Sequence, residues 1–231
     1  MGLPARVFLA FDDFSRAGKH VLHFAKFDGA QALLQATKDT LLPAEFHPFV
    51  QIFLYSDNQA AAITVNTAEL AATQRWEVAD ALVSALSRAN VQQLIIVAAL
   101  HLPYAKDIGH NVFYSGLNVD AATEEDMDVS KLAAADPAWD VKDPWLAAFL
   151  HFIKVEQWPR THLLLAKGYK PGRDLSGTYE AVEALSRALQ LLTKDKMMVD
   201  TQEVLRELPQ LLAKDKMASS AGDDHLTLLY H

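Results

Sequence analysis

The side chains in this sequence that could do chemistry are nine histidines, a short acidic cluster and a lone Ser-Gly pair. His20 and His23 stand three apart, a spacing that on a helix would put two imidazoles on one face for a metal. They flank Val21 and Leu22 in an apolar run at 20–27 that reads as a strand, which sends them to opposite faces. His101 and His110 bracket Asp107, and Ser115 follows in Phe113-Tyr114-Ser115-Gly116. An α/β enzyme of hydrolase type would have its site here, at 101–116, and would need these groups to converge in a pocket. Glu124, Glu125, Asp126 and Asp128 lack the alternating ligands and central glycine of a calcium loop and read as solvated surface. There is no Gly-x-Gly-x-x-Gly, P-loop, His-Glu-x-x-His or Gly-x-Ser-x-Gly. The absence of cysteine removes disulfides, thiolate catalysis, Cys-ligated zinc and iron–sulfur clusters together. The expectation is a protein that is not an enzyme, with no catalytic residues, no metal and no cofactor.

The remaining candidate is the end of the chain. Ala218-Ser219-Ser220-Ala221-Gly222-Asp223-Asp224 has linker composition, and His225-Leu226-Thr227-Leu228-Leu229-Tyr230-His231 then turns apolar. Chain ends are normally polar and frayed unless something holds them. An apolar end on a tether needs a docking site on its own domain or on a partner, so Leu229, Tyr230 and His231 are the candidate partner-binding residues.

Those residues need a body to carry them. A chain of 231 residues is long enough for one large core, and 51% apolar with 22% charged residues is a globular composition. A formal charge of −8 argues against binding nucleic acid through phosphate neutralisation. The apolar run at 7–11 is too short for a signal peptide, and no stretch approaches a membrane span, so a soluble protein of the cytoplasm or nucleus is expected.

Strands are expected at 6–11, 20–27, 49–55 and 61–66, the last two forming a hairpin about Ser56-Asp57-Asn58. A helix is expected at 30–42 from Leu33, Leu34 and Leu41. Another at 73–89 carries Trp76, Ala79, Leu82, Val83 and Leu86 on one face. The continuous apolar run at 94–100 suits a strand buried on both sides. Residues 101–140 show weak periodicity and read as a long surface insertion. Asp143-Pro144 is a helix start, and Trp158-Pro159 ends that helix before a second buried strand at 161–166. Helices at 178–192 and 200–212 follow, the latter weakened by Pro209. This alternation predicts an α/β fold: a layered α/β/α sandwich, a single domain at 1–213, with a flexible tail at 214–231.

The C-terminal Leu229-Tyr230-His231 fits hydrophobic–Tyr–any residue at a free terminus, the HbYX pattern of proteasome activators and assembly chaperones. From about Phe46 onward the order of elements resembles the proteasome assembly chaperone 1 family. The hairpin Phe49–Tyr55 to Ala61–Val65, the Trp76 helix, the strand Gln93–Val97, a long insertion and the Trp158-Pro159-Arg160 step before the strand Thr161–Ala166 carry the resemblance. The resemblance implies an α/β chaperone that pairs with a second, related assembly chaperone. The heterodimer would sit on the proteasome α-ring, with this tail docked in a pocket between α subunits. A terminal carboxylate could pair there with a lysine, while Tyr230 and Leu229 supply aromatic and apolar contact.

Overall fold

A computed structural model describes residues 2–31, 33–34, 41–55, 59–102, 111–119, 127–136, 139, 141–168 and 176–220. The chain starts on its central strand, β1 (Arg6–Phe11), in which every residue after Arg6 is buried. Beside it runs β7 (Gln93–Leu100), buried throughout. Strands buried on both faces must be covered by helices on both faces. Five helices do this here: α1 (Ala17–Phe24), α2 (Ala72–Arg88), α3 (Pro144–Glu156), α4 (Ser176–Leu192) and α5 (Thr201–Ser220).

The other strands are β2 (Ala25–Phe27), β3 (Ala30–Gln31), β4 (Leu33–Leu34), β5 (Val50–Leu54), β6 (Ala60–Val65), β8 (Val112–Leu117), β9 (Ala133–Ala134), β10 (Arg160–Lys167) and β11 (Met197–Val199). The main sheet has eight strands in the order β4-β5-β6-β1-β7-β10-β8-β9. Its centre, β6-β1-β7-β10, is parallel, and antiparallel β5 and β8 flank it. The period-2 alternation of each strand divides the interior into two cores. Val7, Leu9, Phe11, Leu94, Ile96 and Ala98 face α2 and α3. Phe8, Ala10, Ile95, Val97 and Ala99 face α1, α4 and α5. The layered α/β/α sandwich expected from the sequence is the observed architecture.

Local details differ. The run at 20–27 is helix α1 followed by strand β2, not one strand. Ala17, Gly18, His20, Val21, Leu22 and Phe24 are buried, while Lys19 and His23, four residues apart, mark the outer face of this short amphipathic helix. Of the helix expected at 30–42, residues 30–31 and 33–34 are strand and 41–42 a turn, while 32 and 35–40 lie outside the described residues. Asp28 and Gly29 both take positive φ (47° and 81°) and close a two-residue turn that pairs Phe27 with Ala30. With β11 they form a second, three-stranded sheet, β11-β2-β3. The insertion at 101–140 is not only surface excursion, because β8 zips antiparallel onto β10 from Thr161↔Leu117 to Ala166↔Val112 and carries β9 on its far side.

Helix α2 turns its predicted stripe inward at Ala79, Leu82, Val83 and Leu86, but Trp76 stays 52% exposed against His151 and Phe152. The start of α3 follows the expected chemistry, with the Asp143 carboxylate accepting from Leu146 N at 2.8 Å and Pro144 at the first helical position. Pro209 lies within α5, which runs on to Ser220, so the boundary drawn between 213 and 214 falls inside this helix. The turn at 56–58 and residues 221–231 lie outside the described residues.

Candidate functional site

In an open α/β sheet, ligand sites gather beyond the carboxyl ends of the parallel strands. Here β1 ends in Asp12 and Asp13. Asp13 is 4% exposed. Its Oδ1 accepts from the backbone N–H of Ser15 (3.0 Å) and Ala17 (3.1 Å), and its Oδ2 from Gly18 (2.8 Å) and Ala99 (3.0 Å). Burial pushes the carboxyl up to about 6, against the pull of these four donors. The carboxylate is saturated by backbone and tethers the start of α1 to the end of β7. It is an anchor, not an acid facing a substrate. Asp12 points the other way and accepts from Lys19 Nζ at 2.8 Å, and the same ammonium donates to Asn66 Oδ1 at 2.7 Å, clamping the ends of β1 and β6 together.

Two clefts flank this knot. One, of about 540 Å³, is lined by Arg16, His20 and His23 of the first helical segment, Thr64 of β6, and Glu203 and Glu207 of α5. The other, of about 560 Å³, lies between α3 and the β7-β10-β8 end of the sheet.

The residues singled out in the sequence distribute as follows. Leu229, Tyr230 and His231 lie outside the described residues, as do Asp107, His110, Glu124, Glu125 and Asp126. His101 and Ser115 both line the second cleft, but His101 rests its ring on Phe14 at 5.5 Å and no hydrogen bond joins it to Ser115. No nucleophile–base pair is assembled there among the described residues. His20 is buried and His23 exposed on α1, and no three His, Asp or Glu among the described residues converge on a metal position. The Ser130 hydroxyl (2.6 Å) and the Lys131 ammonium (3.1 Å) hold the Asp128 carboxyl below its usual range. Trp139 and Trp145 pack edge-on to Phe113 and stacked on Phe149 respectively.

Two functional-looking groups were not singled out in the sequence. Asp13 could have been found from an acidic pair closing an apolar strand five residues before a glycine. His162 had no such signal: it sits in the middle of β10, fully buried, with Nδ1 at 2.9 Å from the Tyr114 hydroxyl and no hydrogen-bond partner for Nε2. Burial first, then the charges of Arg160 and Arg6, hold its imidazole down to about 4, so it is neutral near pH 7.

No protein-family model matches this sequence, and neither does any curated protein. Solved structures do match. The chain is similar to Pyrococcus furiosus PbaA, described as an archaeal homolog of proteasome-assembly chaperone, at 15% identity and a TM-score of 0.57, covering 91% of this chain and 90% of that one. It is similar to Pyrococcus furiosus PbaB, described as an archaeal proteasome activator, at 12% identity and a TM-score of 0.59, covering 93% and 94%. A PAC2 family protein from Streptomyces avermitilis matches at 13% identity and a TM-score of 0.51, covering 96% of each chain. At these identities the likeness establishes a shared fold over nearly the whole length.

Proposed function

We propose that this protein is a non-enzymatic assembly chaperone of the proteasome core particle, related to proteasome assembly chaperone 1. In this reading it acts as a heterodimer with a second assembly chaperone on the α-ring, in the cytoplasm and nucleus. Leu229, Tyr230 and His231 dock in a pocket between α subunits. The observation that carries the reading is the fold likeness to PbaA over nine-tenths of both chains, taken with a hydrophobic–Tyr–X tripeptide at position 229–231. The likeness to PbaB, itself described as a proteasome activator, supports the same direction.

One tail peptide binds weakly, because ordering it offsets much of what Leu229 and Tyr230 contribute. A folded body bound to the same ring makes tail docking effectively intramolecular. The test is capture of proteasome α subunits by the tagged protein, with Tyr230→Ala compared against wild type. A terminal aromatic anchor of this kind is worth roughly 2 kcal/mol, so capture should weaken by about thirtyfold. Undiminished capture by Tyr230→Ala, or no recovery of α subunits by wild type, overturns the proposal.

A further inference from the structure

We propose that the outer face of α2 and α3 is a self-association surface, on which a second copy of this chain docks about a two-fold axis. The face is built round Trp76, the one residue of the expected α2 stripe that does not turn inward. Its ring centre lies 5.8 Å from that of Phe152 and 6.0 Å from that of His151, both on α3, and 52% of the residue stays accessible. Phe152 is only partly buried, and Val155, one helical turn beyond it, is 63% exposed. A single exposed apolar residue needs no explanation, but Trp76, Phe152 and Val155 adjoin one another in a strip between two helices. Tryptophan is also the residue type most often found as the anchor of an interface.

The charges beside the strip select the occupant. On α2, helical spacing carries Asp80 and then Glu77 away from α3, and both are exposed. On α3, Lys154 is exposed on the flank away from α2, which it shares with Leu150 at the second cleft. Glu156 and the half-buried Arg75 are turned from the face by the same spacing. Across the two helices the order is therefore acid, apolar strip, base. A two-fold axis laid along the strip sets each acidic rim opposite the other copy's Lys154, twice over, whereas an axis across the strip sets acid against acid. A face with opposite charges on either side of an apolar line is complementary to itself, so a second copy fits it. Two helices make a small interface, for which a dissociation constant of roughly 1–100 μM is expected. The pairing does not rest on the proteasome reading and uses neither α subunits nor residues 221–231.

Sedimentation velocity of the full chain, from about 1 to about 300 μM at low ionic strength, tests the surface. The expected result is a concentration-dependent shift from monomer to dimer. Trp76→Asp and Val155→Asp should each weaken association at least tenfold and leave the melting temperature of the dilute chain near wild type, because neither side chain is buried. Glu77→Lys with Asp80→Lys makes both rims basic, and Lys154→Glu makes both acidic. Neither variant should self-associate, while their equimolar mixture should form a dimer at least as tight as wild type, since every rim contact is then attractive. If the double variant fails to fold, Asp80→Lys alone takes its place in the mixture. The proposal is overturned if wild type stays monomeric throughout, if the dimer survives Trp76→Asp and Val155→Asp unweakened, or if mixing the rim variants restores no dimer.

Discussion

A buried histidine with one nitrogen unpartnered makes the stability of this fold depend on pH in a direction that can be worked out. His162 titrates near 6.5 in an unfolded chain and at about 4 in the folded one. The unfolded state therefore binds the proton more tightly, so the stability is complete above about 6.5 and is lost as pH falls towards 4. The difference amounts to up to about 3 kcal/mol. Urea unfolding of wild type and His162→Gln at pH 7 and pH 4 isolates it, because every other titrating group, Asp13 included, is common to both. The wild type should lose up to about 3 kcal/mol more than the variant over that interval, and parallel losses would show that the imidazole does not carry the effect. No feature of the linear sequence marks His162 out from the eight other histidines. Its character arises from β8 closing over β10 and bringing Tyr114 to it, while the N-terminal ends of β1 and β10 place Arg6 and Arg160 near enough to disfavour its charge.

Among the elements, α1 depends most on a single position. A Cβ built on Gly18 would lie 2.1 Å from the Val97 carbonyl oxygen and 3.0 Å from Asp13 Oδ2, so the helix can rest on β7 only because residue 18 has no side chain. Gly18→Ala must lift α1 off the sheet and break the Asp13 hydrogen-bond knot. The expected cost is roughly 3 kcal/mol or more, seen as a fall in melting temperature of at least about 6 °C. Gly2→Ala, with nothing within 4 Å of the added carbon, is the control and should leave the melting temperature unchanged. The same helix shows where the sequence was legible and where it was not. The fully buried strands at 94–100 and 161–166 and the capped helix after Asp143 were readable because burial, period and cap residues agree in each. The run at 20–27 reads as a strand because its helical period shows only in Lys19 and His23, and two turns are too few to separate an eight-residue helix from a strand. The Asp28-Gly29 turn was legible and passed over, since Asp-Gly between apolar runs is itself a hairpin signal. The edge pairing of β8 depends on residues far away in sequence on β10, which local pattern cannot supply.

At the scale of the whole molecule, the question is whether the terminal tripeptide serves the body or a partner. The described side chains that complete the second core include Val204 and Leu208, in the first two turns of α5, well before residue 221. A tail that docked on its own body would contribute roughly 1.5–3 kcal/mol for each leucine it buried. At roughly 2–4 °C per kcal/mol for a chain of this size, deleting such a tail would lower the melting temperature by about 3 °C or more. A tail used on a partner contributes nothing to the isolated chain. Deletion of 221–231 separates the two, because it leaves α5 intact and removes every candidate contact residue at once. Under the chaperone reading the truncated protein melts with wild type and loses capture of α subunits to at least the extent that Tyr230→Ala does. A drop of several degrees in melting temperature with α-subunit capture retained would instead make the tail part of the fold, and the body alone the surface that meets the client.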